Sequence, residues 1–290
     1  MTGNCASRPR HVLLVMVDGL GLPREPLADS VYGECPALRR LFTQHCVPVD
    51  ASLGVDGLPQ SATGQTAILT GVNAPARTGR HIQGFPTADL RVIIEQHNLF
   101  SQLLSRGLSC TFANAYARRP ERSLPDSLPS VTTVATYAAF GETRTGADML
   151  NGRAVYHDLT RQWLRAHGCP DVPTISEETA AEHLLAIMHS VDVTLFEFFL
   201  SDHAGHRGTR EEKVRVLRSF DIFLDALMGG LRGEQELLLL VSDHGNIEEE
   251  GKVHTRNKVP FCAFGRGAQP LRDSVHSIAD VTPGIIRLLT

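Results

Sequence analysis

Three short apolar runs in this sequence each end at an aspartate followed at once by glycine or histidine. Val12 to Val17 runs into Asp18-Gly19, and Leu195 to Leu200 leads through Ser201 into Asp202-His203-Ala204-Gly205-His206. Leu237 to Val241 leads through Ser242 into Asp243-His244-Gly245, and His254 follows in a polar loop before Thr255-Arg256-Asn257-Lys258-Val259-Pro260. A lone aspartate at a strand end is commonly a helix cap. Capping does not explain three of them accompanied by His206, His244 and His254. Asp202 and His206 are four residues apart, so one helical turn or a tight loop aims both at one ion. Mixed nitrogen and oxygen donors suit zinc, manganese or iron better than calcium, which takes oxygen alone. Two ions, each needing three or four protein ligands, would use up the set.

Ser61 could supply a nucleophile. Ser61 to Gly71 reads as a helix with Ser61 at its cap and Gly71 at its end. A hydroxyl there sits in the positive end of the helix dipole, and contact with a metal would lower its pKa without a histidine base. The plainer alternative is that Ser61 only caps the helix. The surrounding residues are not the G-x-S-x-G turn of a Ser-His-Asp hydrolase. Arg80, His81, Arg118, Arg119, Arg153 and Arg161 are candidates for holding a substrate anion, and each also reads as a solvated charge.

The elements that must position these groups follow from the pattern. A continuous apolar run is the mark of a strand buried on both faces, and ligands collect beyond the carboxyl ends of such strands in open α/β sheets. Helices are expected over Cys35–Phe42, Leu99–Leu108, Val131–Phe140, Ser176 to about Ser190, about Arg210 to Leu231 and Ile278–Leu289, with further strands over Ser109–Asn114 and Val259–Phe264. Alternating strands and helices imply an α/β fold with a mainly parallel sheet covered on both faces. Residues 1–10 read as a flexible lead-in and 11–290 as one α/β domain. Residues 120–172, richer in Pro, Ser, Thr and Gly, read with part of Arg77–Leu90 as a small cap over the sheet edge.

The chain has 290 residues, 42% hydrophobic and 21% charged, with a net charge of −4. That balance excludes nucleic-acid binding by broad phosphate neutralisation. No apolar stretch reaches the roughly 20 residues of a membrane-spanning helix, so no membrane partner is expected. Six cysteines with no C-x-x-C pair suggest reduced, mostly buried thiols and a cytoplasmic protein.

Taken in order, Asp18-Gly19, Gln60-Ser61-Ala62-Thr63-Gly64, Asp202-His203-Ala204-Gly205-His206, Asp243-His244-Gly245-Asn246 and His254-Thr255-x-Asn257-x-Val259-Pro260 resemble the alkaline phosphatase superfamily. The likeness is to the metalloenzyme branch that holds cofactor-independent phosphoglycerate mutase and phosphopentomutase. It implies two divalent ions, manganese or zinc: one held by Asp202, His206 and His254, the other by Asp18, Asp243, His244 and the Ser61 oxygen. It also implies transient phosphorylation of Ser61, leaves His203 outside the ligand set, and makes a small phosphate ester the substrate. Phosphatase, phosphodiesterase and phosphomutase activities all remain open, as does the oligomeric state. The alternative is a non-catalytic metal-binding relative of the same fold. Mutases of the branch carry a larger inserted substrate domain, and their Asn-Ser-Glu around the nucleophile is Gln60-Ser61-Ala62 here. Sulfatases share the fold but need a C/S-x-P-x-R signature, which is lacking.

Overall fold

The computed structural model describes residues 8–117 and 128–290. Eight strands are present there: β1 (His11–Val17), β2 (Cys46–Val49), β3 (Cys110–Phe112), β4 (Ala115–Tyr116), β5 (Arg144–Thr145), β6 (Val193–Phe198), β7 (Glu236–Ser242) and β8 (Val259–Gly265). Six of them form one sheet in the order β2-β8-β7-β1-β6-β3. β1 pairs in parallel with both β6 and β7, and β3 pairs in parallel with β6. β8 runs antiparallel to β7 and to β2, so the sheet is mixed and mostly parallel.

The apolar runs are continuous because both faces of the central strands are covered. Val12, Leu14 and Met16 of β1 join one core, while Leu13, Val15 and Val17 join the other. Leu237, Leu239 and Val241 of β7 divide from Leu238 and Leu240 in the same way. Strand side chains alternate between faces, so every second residue serves the opposite helix layer. Truncating a fully buried residue such as Leu239 to alanine should cost about 2–5 kcal/mol.

The helices are α1 (Pro36–Gln44), α2 (Ser61–Thr70), α3 (Ala74–Thr78), α4 (Ala88–His97), α5 (Leu99–Leu104), α6 (Val131–Phe140) and α7 (Gly146–Leu150). They continue with α8 (Gln162–Ala166), α9 (Glu177–Met188), α10 (Leu200–Arg207), α11 (Arg210–Gly230), α12 (Ala268–Ser274) and α13 (Val281–Leu289). On one face lie α2, α4, α5, α6, α12 and α13, whose apolar side chains meet Leu14 and Leu239. On the other, α1, α9 and α11 bury Leu38, Leu184, Phe220 and Phe223 against Phe196 and Leu240.

Several boundaries differ from the sequence expectation. The helix read over Leu99–Leu108 ends at Leu104, because Gly107 takes φ 75° and lets the Leu108 N–H bond back to the Leu103 carbonyl. Within Arg77–Leu90 the structure has the end of α3 and the start of α4, whose Leu90 and Ile94 are buried in the core. α6 also belongs to that layer through Val131, Val134 and Ala135. β4, β5, α7 and α8 make a smaller unit around Met149, Ala154, Tyr156 and Leu164. No helix among the described residues is long and apolar enough to cross a membrane.

Candidate metal centre

The register of the central strands brings three chain segments to one edge. Val17 lies level with Phe198 on one side and with Ser242 on the other. Asp18 and Asp243 are therefore the first residues past two adjacent carboxyl ends, and Asp202 follows in the opening turn of α10. Hydrogen bonds lock the three together: Asp18 N–H donates to the Phe198 carbonyl at 2.9 Å and Ser201 Oγ to the Asp18 carbonyl at 2.6 Å. Gly19 N–H donates to Asp243 Oδ1 at 3.2 Å, and Leu20 N–H to Ser242 Oγ at 2.9 Å. Gly19 has φ 72°, and a Cβ there would stand 2.9 Å from the Asp202 side chain. Only glycine permits that turn and that approach.

Asp202, His206 and His254 form one donor cluster. Asp202 Oδ1 lies 3.4 Å from His206 Nε2 and 3.5 Å from His254 Nε2, and the two Nε2 atoms are 2.9 Å apart. A second cluster joins Asp18 and His244 with the same Asp202, whose Oδ1 is 4.0 Å from His244 Nε2. His244 Nε2 is 3.1 Å from Asp18 Oδ1, 3.0 Å from Ser61 Oγ and 3.7 Å from Asp243 Oδ2. Asp243 is fully buried, and its Oδ2 has no hydrogen-bond partner.

Charge in this centre is unbalanced in the way a cation site requires. Burial pushes the Asp18 carboxyl well above the usual range, and the neighbouring Asp243 adds to that push. Burial opposes ionisation of Asp202 as well. The hydrogen bond to His254, the field of His244 and the Asn246 amide outweigh it and hold that carboxyl at about 2. Burial likewise favours neutral His244, but Asp243, Asp18 and Asp202 together lift its imidazole to about 10. A proton on His244 thus supplies positive charge that divalent ions would supply instead. The orphaned Asp243 oxygen and the converging imidazole nitrogens fit the Asp and His donor set of such ions.

Ser61 departs from the expectation in one respect. It is the first residue of α2, with Gln60 at the cap, and makes no side-chain cap bond. Its hydroxyl instead faces the centre, 3.0 Å from His244 Nε2 and 3.5 Å from Asp18 Oδ1, at the positive end of the helix. The expected side-chain cap is thus absent, and the hydroxyl is directed at Asp18 and His244 instead. Nearby Thr63 is fully buried, bonding the Gln60 carbonyl and accepting from Ile82 N–H.

The anion-binding candidates are not gathered here. Arg80 and His81 line a different hollow beyond Gln60, where His81 bonds the Val55 carbonyl. Arg153 sits in the small unit and pairs with Asp148 at 3.3 Å, and Arg161 bonds the Met149 carbonyl there. Arg118 and Arg119 lie outside the described residues. Among the described residues, Arg207, at the end of α10, is the arginine that lines the cavity holding Asp18, Ser61 and Asp202.

Gln65 and Glu248 escaped the sequence reading, and Asn246 entered it only as part of the Asp243 motif. Gln65, one turn after Ser61, donates to Asp18 Oδ2 at 3.1 Å, and Asn246 donates to Asp202 Oδ1 at 2.7 Å. Glu248, within a run of three glutamates that reads as a solvated patch, is buried and accepts from Gly21, Asn246, Thr255 and Asn257. The i, i+4 spacing of Ser61 and Gln65 was a usable signal; nothing local marked Glu248.

Comparison with known proteins agrees with this geometry. Residues 169–290 match the sequence model described as the Metalloenzyme superfamily. The 2,3-bisphosphoglycerate-independent phosphoglycerate mutase of Mycoplasma pneumoniae is 28% identical over 124 residues, covering 40% of this chain and 24% of that protein. Phosphopentomutase of Shewanella loihica is 42% identical over 69 residues, 23% of this chain and 17% of the enzyme. The aligned stretch is thus a quarter or less of either curated relative. Among solved structures, the alkaline phosphatase of the Antarctic bacterium TAB5 superposes with TM-score 0.56 at 11% identity, covering 97% of this chain and 98% of that one. Leishmania mexicana phosphoglycerate mutase gives 0.51 at 12% identity over 99% and 96%. The match to the metalloenzyme superfamily thus falls on residues 169–290, while the chain as a whole is alkaline-phosphatase-like in architecture and similar over part of its length to phosphoglycerate mutase and phosphopentomutase.

Proposed function

We propose that this protein is a two-metal phosphoryl-transfer enzyme that passes a phosphoryl group from a small phosphate ester through Ser61. The observation that carries the reading is the convergence of Asp18, Asp202, Asp243, His206, His244 and His254 beside a hydroxyl at a helix N-terminus. Asp202, His206 and His254 would hold one divalent ion and Asp18, Asp243, His244 and Ser61 the other, manganese or zinc being suited to these donors. Such ions supply Lewis acidity toward phosphate oxygens and lower the pKa of a neighbouring hydroxyl.

The remaining steps belong to the chain. The dipole of α2 favours negative charge on Ser61 Oγ as it attacks phosphorus. Oγ releases its proton to solvent, a bond from Oγ to phosphorus forms as the bond from phosphorus to the ester oxygen breaks, the leaving oxygen takes up a proton from solvent, and phosphoserine remains. Gln65 fixes Asp18, and Arg207 supplies positive charge on the wall of the same cavity. Water or an acceptor hydroxyl then takes the phosphoryl group from Ser61, giving hydrolysis or mutase chemistry respectively.

The test is rapid quenching of the manganese- or zinc-loaded protein with a labelled phosphomonoester, followed by peptide mapping. Label should reside on Ser61. Ser61→Ala should keep its metal content and lose activity by a factor on the order of 10³. Full turnover by Ser61→Ala, or no turnover of any mono- or diester by the loaded wild type, would overturn the proposal.

A further inference from the structure

A second cavity, of about 290 Å³, adjoins the metal centre. Ser130, Glu197 and Phe199 line both it and the larger cavity that holds Ser61 and Asp202. A molecule with its phosphate among the Asp and His donors would reach this second space past Glu197. Its walls are aromatic, formed by Phe112, Tyr116, Tyr156, His157, Trp163 and Phe199. His157 stacks on Phe199 with ring centroids 4.0 Å apart, so that wall is preorganised.

Among the described residues of this lining the one carboxylate is Glu197, at the carboxyl end of β6 and 6% exposed. Its position is fixed from both sides. Asn114 bonds its backbone N–H and carbonyl at 2.8 and 2.7 Å, and Thr132 Oγ1 donates to its Oε2 at 2.7 Å. No arginine, lysine or histidine among the described residues forms an ion pair with it. An uncompensated carboxylate is costly to bury. Aromatic faces around a fixed acid are the recognised means of holding an organic ammonium.

We propose that this cavity receives the cationic head of the substrate, so that the enzyme acts on a phosphate ester of a short amino alcohol. A volume near the lower end of small-molecule sites, roughly 300 Å³, admits a compact trimethylammonium or primary ammonium group and not a nucleoside. The proposal rests on the phosphoryl-transfer reading above for the phosphate end only.

The experiment compares choline phosphate with 3,3-dimethylbutyl phosphate, which has the same shape without the charge, on metal-loaded wild type and Glu197→Gln. Tetramethylammonium is titrated separately against the fluorescence of Trp163, the single tryptophan of the chain. Wild type should favour choline phosphate by about tenfold in kcat/KM. Glu197→Gln should bring that ratio close to one, and tetramethylammonium should change Trp163 emission saturably in wild type alone. Equal turnover of the two esters with unaltered emission would overturn the inference and leave phosphoryl transfer standing. A saturable, Glu197-dependent emission change without turnover of any ester would uphold the cationic cavity and defeat the proposed reaction.

Discussion

His206 Nε2 and His254 Nε2 point at one another across 2.9 Å, while the other nitrogen of each ring is tied to a backbone carbonyl. His206 Nδ1 bonds Lys252 O at 2.9 Å and His254 Nδ1 bonds Pro59 O at 2.8 Å. A carbonyl only accepts, so each Nδ1 donates to it, and with a cation bound each Nε2 would turn a lone pair inward as its ligand. Two lone pairs facing each other repel unless something positive lies between or beside them. This is the outer-shell pattern that orients histidine ligands.

From this follows a stoichiometric expectation. His206→Ala and His254→Ala should each lower bound manganese or zinc from two ions per chain toward one, whereas Thr63→Val, which alters a fully buried hydroxyl outside the donor set, should leave two. Plasma mass spectrometry of dialysed protein measures it. Two tightly held ions in both histidine variants would reject the assignment.

Chelation should weaken the fold as well as the site. With metals stripped, Asp18, Asp202 and Asp243 crowd together with the His244 imidazolium and the neutral donors Gln65, Asn246 and Gly19 N–H to offset them. Binding to the native state alone stabilises by about 2.7 kcal/mol when free metal is 100 times Kd. The melting temperature should therefore rise with metal concentration over the range of the binding curve. Ser61→Ala should show nearly the same rise. A melting temperature indifferent to metal would mean that the cluster is not a cation site.

Gly64 offers a sharper test of packing. It lies in α2, where a Cβ would stand 2.7 Å from the Asp243 carbonyl oxygen and 2.9 Å from Asp243 Cβ. Gly229, in α11, has nothing within 4 Å of the same atom. Alanine at an open helical position is stabilising by up to about 1 kcal/mol. Gly229→Ala should therefore gain stability, while Gly64→Ala should lose it and lose metal affinity, because Asp243 must shift. Denaturant midpoints and metal titrations of the two variants decide; a stabilised Gly64→Ala with wild-type affinity would contradict the close approach.

The contrast between what the sequence revealed and what it hid has a physical basis. Asp18, Asp202 and Asp243 were legible because each lies just beyond a strand buried on both faces, and such strands read as unbroken apolar runs. His206 was legible by its i, i+4 spacing from Asp202. The antiparallel pairing of β7 with β8 was not, since a strand buried on both faces carries no record of its neighbour's direction. Arg80, His81 and Arg153 were named for charge alone, and charge does not report which side of a loop it occupies. Glu197 went unnoticed inside an apolar run because its role depends on partners as distant in sequence as Asn114 and Thr132. Those contacts exist only once β3 has paired with β6 and α6 has brought Thr132 to Glu197.

Glu197 also gives the protein a pH dependence whose direction is determined. Burial, with a smaller push from Asp243, raises its carboxyl to about 7 against 4.5 in an exposed chain, although Thr132 pulls the other way. Between those values the folded state binds a proton that the unfolded state has released. The stability tied to this group is therefore complete below pH 4.5 and is lost as pH rises through 7, to the extent of about 3 kcal/mol for a shift of this size. Glutamine keeps an acceptor for Thr132 and does not titrate. Metal-free wild type and Glu197→Gln should thus be compared by denaturant unfolding from about pH 5 to about pH 8. The variant should gain on wild type across that range, most steeply midway between 4.5 and 7, and level off above 7. A difference between the two proteins that stays constant with pH would show that Glu197 ionises in the folded state as readily as in the unfolded one.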